Sequence, residues 1–303
     1  MATIALKIDV DTYRGTREGV PRLAAALERA GARATFLFSL GPDHTGRAIK
    51  RVFRRGFLGK VRRTSVTQHY GVKTLMYGVL LPGPHIGRRC AEVMREVERR
   101  GFEVGVHTYD HIQWQDGVAR ANEAWTRRQL VLAREEFIRV FGRAPEAHGA
   151  AGWQVNDTVP GLELELGFRY ASDGRGRCPF MPVVGGREVA VPQLPTTLPT
   201  LDELIGREDL GGVDGGPVEH LLGLTQHGAD QVFTLHAELE GGAYLEGFER
   251  LLGAWRARGF TLTDMRSYGQ ALEVSRLPRC EIGWGTVPGR SGTLAVQGQD
   301  LGR

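Results

Sequence analysis

The sequence predicts an α/β fold built on a largely parallel sheet. Short apolar runs rich in β-branched residues alternate with amphipathic helical patterns, as βα units require. Several acidic and histidine residues follow such runs directly, where the strands of a parallel sheet end. The chain has 303 residues, 41% of them hydrophobic and 24% charged, which is enough for a substantial core. This alternation fits a barrel and an open sheet equally well.

The first part of the chain is predicted to form two strands joined by a helix. Residues 3–9 and 34–39 have the pattern of strands. Thr16 is placed to cap the intervening helix, and Gly31 is placed to end it. The apolar face of that helix comprises Leu23, Leu27 and Ala30.

The rest of the chain continues the alternation after one insertion. The later predicted elements are a basic, partly helical insertion at 44–82, a helix at 87–100, a strand at 102–106, a long helix at 116–141, strands at 168–172 and 231–236, and a covering helix at 244–258. We therefore expect one main domain at 1–279. Residues 280–303 are rich in glycine and are expected to form an extended tail.

Composition narrows the class of protein. The three cysteines form no CxxC pair, which argues against a disulfide framework or a thiolate zinc site and favours a reducing compartment. No stretch approaches the roughly 20 consecutive apolar residues that cross a bilayer. Aspartates occur by the ninth residue, so the start does not have the pattern of a signal peptide. We expect a cytoplasmic protein.

The net charge of +4 is concentrated in one segment. No acidic residue lies between Asp43 and Glu92, whereas basic residues are frequent there. Those within 47–63 are Arg47, Lys50, Arg51, Arg54, Arg55, Lys60, Arg62 and Arg63. They alternate with apolar residues, a pattern typical of an interfacial helix on an anionic membrane. A solvated basic helix packed onto the main domain is the alternative.

Five polar residues lie at the ends of four predicted strands, with Asp9 and Asp11 at the first and His107, Asp173 and His236 at one each. Because Asp9 and Asp11 are two residues apart on an extended segment, their side chains leave the same face. His107 and His111 are four apart and would share one side of a helical turn. Individually each has an ordinary explanation, such as a turn, a cap or a core histidine. Their joint occurrence indicates a site.

The chemistry of these residues suits metal-assisted hydrolysis of an amide. Asp11, His107 and His111 form a facial ligand set for a divalent ion, with zinc, cobalt and manganese all possible. Asp9 would then be the general base, and His236 the acid that protonates the leaving amine.

Four motifs resemble the polysaccharide deacetylases of the NodB-homology type, namely KIDVD at 7–11, HTYDH at 107–111, SDGRG at 172–176 and TLHAE at 234–238. The resemblance implies an irregular β/α barrel and the same roles for the aspartates and histidines. Asp173, Trp153 and Glu238 are candidate substrate-binding residues, although a core role for Trp153 is equally compatible. The third motif of the family, with its arginine that orients the catalytic aspartate, is replaced by EAHGAAGWQ at 146–154. We assign no substitute from the sequence.

Longer segments resemble one branch of the family, the deformylases of an undecaprenyl-phosphate-linked formamido-arabinose. These segments are 9–23, 41–48, 111–117, 150–154, 192–207 and 236–241. The resemblance implies a lipid-linked substrate on the inner face of the inner membrane and a product used to modify lipid A and confer polymyxin resistance.

Other functions compete with this interpretation. One is a deacetylase of another N-acylated glycan, and another is a non-catalytic lipid- or glycan-binding relative. All five catalytic and ligand positions are present, namely Asp9, Asp11, His107, His111 and His236, which argues against a decayed site. A nucleic-acid-binding role would explain the basic segment, but no nucleic-acid-binding motif accompanies it. We expect no nucleic-acid partner.

The basic segment yields a prediction about membrane binding. Replacing Arg51, Arg54, Arg55, Arg62 and Arg63 by Glu should weaken binding to anionic vesicles about a hundredfold or more, since each cation near such a surface contributes about 1 kcal/mol. Vesicle co-sedimentation measures this change. Turnover of the long-chain lipid should fall, whereas a short-chain, water-soluble analogue should be hydrolysed at nearly the same rate. Unchanged vesicle binding, or an equal loss with both substrates, would exclude the docking role.

Overall fold

The computed structural model describes residues 2–48, 73–205, 207, 216–225 and 228–302. In these ranges the strands are β1 (Thr3–Val10), β2 (Thr35–Ser39), β3 (Glu103–Thr108), β4 (Ala147–His148), β5 (Tyr170–Ala171), β6 (Met181–Val184), β7 (Arg187–Glu188), β8 (Gln231–His236), β9 (Thr261–Thr263), β10 (Arg279–Gly285) and β11 (Leu294–Asp300). Seven of them form a parallel sheet in the order β5-β4-β3-β2-β1-β8, with β9 also paired to β1. The predicted α/β class is confirmed.

Helices cover this sheet and bury its apolar side chains. Those in the described ranges are α1 (Val20–Arg29), α2 (Ile86–Arg89), α3 (Ala91–Arg99), α4 (His111–Gly117), α5 (Glu123–Phe141), α6 (Val159–Leu166), α7 (Leu201–Leu204), α8 (Gly216–Leu224), α9 (Leu245–Ala257) and α10 (Met265–Gln270). The largest core cluster joins β1, β2 and β8 to α1, α3 and α9, with Phe233 and Trp255 among its fully buried rings. Among the described helices, none is long and apolar enough to cross a membrane.

An extended segment completes the barrel between the two edge strands of the sheet. On one side, Leu194 N–H donates to Ala171 O of β5 at 2.7 Å. On the other, Thr197 N–H and Leu198 N–H donate to Val232 O of β8 at 3.1 and 3.2 Å. Carbonyl groups on the two edge strands therefore accept hydrogen bonds from an irregular segment instead of from another strand. The result is the irregular β/α barrel that the family resemblance implies.

Three helix predictions need correction. The predicted helix at 87–100 is divided at Cys90 into α2 and α3. Thr16 does not cap α1, because it lies inside a π-helical turn at Gly15–Gly19 and its hydroxyl donates to Thr12 O at 2.8 Å. Thr12 accepts from Gly15 N–H at 2.9 Å instead. The predicted helix at 116–141 is divided in two, since α4 ends at Gly117 and α5 begins after Asn122, whose side chain accepts from Trp125 N–H.

The segment after residue 280, which the sequence predicts to be an extended tail, forms paired strands. β10 and β11 are antiparallel, and β10 also pairs in parallel with β6. With β7 they make a second, four-stranded sheet. Its glycines gave the segment a loop-like composition, but Cys280, Leu294 and Ala295 are buried.

A close backbone approach joins the loops that follow β1 and β8. A Cβ on the buried Gly19 would come within 2.0 Å of Ala237 O, which leaves no room for a side chain. Gly161, exposed in α6, has no atom within 4 Å of the same position. Of these two glycines, Gly19 is therefore the one whose missing side chain allows the close contact with Ala237.

We expect Gly19→Ala to destabilise the protein by about 1–3 kcal/mol, because the contacted carbonyl belongs to the backbone and cannot rotate away. Gly161→Ala is the matched control. It should be neutral or should stabilise by up to about 1 kcal/mol through helix propensity. Thermal and urea unfolding followed by circular dichroism measure both. Equal stabilities of the two variants would show that the loops are not in this contact.

Candidate metal centre

Asp9 and His236 lie side by side at the carboxyl ends of adjacent parallel strands. In the register of β1 and β8 they are direct partners, and Ala237 N–H donates to Asp9 O at 3.0 Å. Asp9 is 3% exposed. Because parallel strands end at the same edge of the sheet, side chains distant in sequence meet here.

Three of the predicted residues surround one point. Asp11 Oδ1 lies 3.3 Å from His107 Nε2, and Asp11 Oδ2 lies 3.4 Å from His111 Nε2. Donor atoms about 2.1 Å from a shared ion are separated by roughly this distance. Nδ1 of His107 lies 2.7 Å from Gly149 O, which fixes that nitrogen as the donor and leaves Nε2 as an acceptor facing Asp11.

The HxxxH spacing arises differently from the predicted helical turn. His107 lies on β3, whereas His111 is the first residue of α4. Asp110 caps that helix by accepting from Gln113 N–H at 3.1 Å, and it also lies 2.5 Å from His44 Nδ1. The change from strand to helix, rather than one helical face, directs both imidazoles to Asp11.

The protonation states favour metal ligation. Burial lowers the pKa of His111 to about 4, so this imidazole is neutral near pH 7 and its ring nitrogen can ligate. Burial opposes ionisation of Asp11, but His111 and His107 together hold the pKa of its carboxyl well below the usual range. Asp11 Oδ1 is buried and has no hydrogen-bond partner in the described part of the chain. One carboxylate and two imidazoles thus fit a divalent ion.

Glu238 contacts the backbone at Asp11 and the next residue. Its Oε1 accepts from Asp11 N–H, Thr12 N–H and the Thr12 hydroxyl at 3.1, 2.8 and 2.7 Å. Burial, followed by the charge of Asp11, raises the pKa of Glu238 to about 8. These contacts make Glu238 an organiser of the Asp11–Thr12 backbone, and its Oε2 has no hydrogen-bond partner among the described residues. Contact of Glu238 with substrate stays a prediction.

His236 belongs to a charged chain that reaches the second sheet. Its Nδ1 lies 3.5 Å from Asp202 Oδ1, and Asp202 Oδ2 lies 3.0 Å from Arg290 Nη2. Burial lowers the pKa of His236, but Asp202 and Asp11 outweigh it and raise the value to about 9. The imidazole is therefore held in its protonated form.

Sequence reasoning missed Asp202, Arg290 and Lys7. Asp202 has the pattern of an acidic first-turn residue of a helix, and Arg290 lies in the segment taken for a tail. Lys7 is fully buried, with Nζ 3.4 Å from Asp9 Oδ2. The sequence could have indicated Lys7, because a cation two residues before Asp9 lies on the same face of an otherwise apolar strand.

A second histidine and carboxylate cluster is closed to ligands. His148 Nδ1 lies 2.5 Å from Glu163 Oε1 and 3.2 Å from Asp173 Oδ1, and all three residues are fully or almost fully buried. Despite burial, the two carboxyls raise the pKa of His148 to about 10. With both carboxylates within hydrogen-bond distance of one ring nitrogen, the three side chains form a buried charged network.

Two other candidate substrate-binding residues are enclosed. Asp173, 1% exposed, accepts from Ala150 N–H and from Gln193 Nε2 at 2.8 and 2.9 Å. Its hydrogen-bonding capacity is used inside the protein, which argues against substrate contact. Trp153 is 2% exposed and packs beneath the Arg290 guanidinium, 4.6 Å from the ring centroid. It forms part of the core beside the site.

The candidate membrane-docking residues lie almost entirely outside the described ranges. Arg47 is the exception, and its Nε donates to Gly78 O at 3.1 Å. The residues outside are Lys50, Arg51, Arg54, Arg55, Lys60, Arg62 and Arg63.

Two named proteins are similar to this chain over most of its length. The chain is 36% identical over 249 residues to the probable 4-deoxy-4-formamido-L-arabinose-phosphoundecaprenol deformylase ArnD of Shewanella sediminis, covering 82% of this chain and 80% of the relative. It is 30% identical to the protein of the same name from Wigglesworthia glossinidia brevipalpis, covering 93% and 98% of the two chains.

Solved structures share the fold at lower sequence identity. A putative polysaccharide deacetylase from Mycobacterium smegmatis superposes with a TM-score of 0.63 at 18% identity, covering 94% of this chain and 95% of that one. A probable polysaccharide deacetylase from Pseudomonas aeruginosa PAO1 gives a TM-score of 0.58 at 14% identity, covering 89% and 90%. The model of the polysaccharide deacetylase family matches residues 2–171. With the two relatives above, this match places the chain in the polysaccharide deacetylase family.

Proposed function

We propose that the protein is a metal-dependent deformylase that hydrolyses the formamide of undecaprenyl-phosphate-linked 4-deoxy-4-formamido-L-arabinose. The observation that carries the proposal is the meeting of Asp11, His107 and His111 beside Asp9 and His236, an arrangement suited to amide hydrolysis. The substrate is that named for the two relatives, which match most of the chain. The products are formate and the lipid-linked 4-amino-4-deoxy-L-arabinose.

Asp11, His107 and His111 would hold the metal, and zinc, cobalt and manganese all suit one carboxylate with two imidazoles. When bound, such an ion lowers the pKa of water and polarises a carbonyl oxygen. Asp9 takes the proton of the water that attacks the formyl carbon. Its Oδ1 is buried and accepts no hydrogen bond from the described residues, so it is available for that proton.

His236 supplies the proton that the departing nitrogen needs. Breaking the C–N bond without it would expel an amide anion, which is prohibitively basic near neutral pH. The Asp202 carboxylate stabilises the imidazolium and so keeps the proton in place until the bond breaks. Asp9 ionised and His236 protonated form the pair of states that the reaction requires.

The cellular setting follows from the substrate. We propose that the protein acts at the inner face of the inner membrane, bound reversibly to anionic lipid through residues 47–63. The amino sugar so produced would serve lipid A modification and resistance to polymyxin. A deacetylase of another N-acylated glycan is the second candidate, because the donor set and the acid–base pair would serve an acetamide equally.

Formate release from the purified lipid substrate tests the function directly. Wild-type protein loaded with zinc, cobalt or manganese should release formate, and Asp9→Asn should lower kcat by at least about 10³-fold while retaining the metal, since an amide cannot accept the proton. His107→Ala and His111→Ala should instead lose the metal. Mass spectrometry of the lipid and metal analysis of each variant give the two readouts.

The matched acetamido lipid distinguishes the two enzyme candidates. Faster turnover of that lipid than of the formamide would assign the protein to the glycan deacetylases. Full activity after verified removal of divalent ions, or loss of metal from Asp9→Asn comparable to that of the histidine variants, would refute the division of roles.

The charge on Asp202 yields a pH prediction. Because His236 must be protonated and its pKa is raised to about 9, the rate should fall on the alkaline side of that value. Asp202→Asn removes the negative charge that favours the imidazolium, so the alkaline limb should move down by about one to two pH units. A kcat profile over pH measures the shift. An alkaline limb that stays in place would show that Asp202 does not act on the acid.

A further inference from the structure

Lys7 is a buried cation at the centre of the sheet. It lies on β1 two residues before Asp9, so both side chains leave the same face of the strand, and Asp11 follows directly after the strand ends at Val10. Its side chain is fully buried, and Nζ lies 3.4 Å from Asp9 Oδ2. In the described part of the chain, Asp9 is the carboxylate within ion-pair distance of this ammonium.

Two neutral groups also contact Nζ. Nζ donates to Ser172 O at 3.1 Å, at the carboxyl end of β5, and lies 5.6 Å from the centre of the Trp153 ring. A carbonyl oxygen and an aromatic face both favour a cation. The Lys7 side chain therefore spans the barrel interior from β1 to the opposite wall.

Small residues of the segment after β4 make room for this ammonium. A Cβ on Gly149 would lie 3.4 Å from Lys7 Nζ and 2.5 Å from Leu37 Cδ1. The same Gly149 accepts from His107 Nδ1 through its carbonyl, so the backbone next to Lys7 also orients a metal ligand. Lys7 thus lies beside both the proposed base and the wall of the metal site.

A fully buried ammonium is costly, because its desolvation takes several kcal/mol that a single partner barely restores. An apolar residue would fill the same space without that penalty. Asp9 supplies the compensating charge, and Asp9 is the residue whose orientation the reaction needs. Oδ2 faces Lys7, whereas Oδ1 faces away and lies 3.8 Å from His107 Nδ1.

We propose that Lys7 is the positioning residue of the catalytic site: its ammonium fixes Asp9 through Oδ2 and leaves Oδ1 directed at the attacking water. The inference rests on the proposed role of Asp9 as the base. Lys7 would thereby supply from β1 the cation that the third sequence motif lacks.

Three purified full-length variants, compared with wild type, test the assignment. Lys7→Met keeps the length of the side chain without the charge, and it should lower kcat about 10²-fold with KM and bound metal unchanged. Lys7→Arg keeps the charge and should stay within about tenfold of wild type. In an Asp9→Asn background, Lys7→Met should lower the residual rate no further, since the group it positions is already gone. Formate release from the lipid substrate gives each rate.

Glu103→Gln is the control for stability. Glu103 is a buried charge on the same sheet but at the start of β3, where it accepts from the Thr35 and Tyr170 hydroxyls. It should lower the unfolding temperature with kcat unchanged. If Lys7→Met does not fold, Lys7→Gln replaces it, because the amide can still donate to Ser172 O.

The outcomes separate the inference from the function. A wild-type protein without formate release refutes the function itself. Active wild type with Lys7→Met at full kcat refutes the positioning role alone. The positioning role is also refuted if Lys7→Met lowers kcat by the same factor in the wild-type and Asp9→Asn backgrounds. It is likewise refuted if Glu103→Gln lowers kcat as much as Lys7→Met does. In both cases the effect would be a general one on the fold.

Discussion

The organisation of the molecule depends on one strand with charged residues along a buried face. β1 lies between β2 and β8, it carries Lys7 and Asp9 on one face, and Asp11 follows directly after its last residue. An apolar strand would be more stable at this position, since each charge must be compensated where water does not reach. The charges persist because they compensate one another and because the surrounding loops supply donors. Ser172 contacts Lys7, whereas Glu238 and the two histidines contact Asp11, so three different parts of the chain are fixed relative to this segment.

Two histidine and carboxylate clusters in the same barrel show how the surroundings select a chemical role. His111 has one carboxylate neighbour, and burial keeps its imidazole neutral with a pKa of about 4. His148 lies between Glu163 and Asp173, which raise its pKa to about 10 in spite of burial. A neutral ring presents a lone pair to a metal, whereas a protonated ring presents only donors. Similar residue types are therefore held in different protonation states in the two clusters.

The parts of the site that the sequence predicted are those fixed by local geometry. Alternation along an extended strand places Asp9 and Asp11 on one face, and strand ends place His107 and His236 at the same edge of the sheet. What the sequence could not predict depends on pairing between distant segments. Asp202 and Arg290 come together only because β10 and β11 pack onto β6, a parallel and antiparallel arrangement that no local pattern specifies. The cap at Thr16 failed for a similar reason: Glu238, 222 positions further along the chain, fixes the Thr12 backbone and moves the start of the helix.

The hairpin between β10 and β11 supplies Arg290, which contacts the Asp202 carboxylate beside His236. Gly289 has φ of 85°, and a Cβ there would lie 2.1 Å from Glu203 O, so only glycine allows the hairpin to approach α7 this closely. This approach puts Arg290 Nε 3.1 Å from Glu203 Oε1 while Nη2 reaches Asp202. Arg290 contacts Asp202, and its positive charge opposes protonation of His236. The negative charge of Asp202 favours protonation of His236. The carboxylate lies between the two cations and is the nearer to the imidazole, so its effect prevails and His236 keeps its proton.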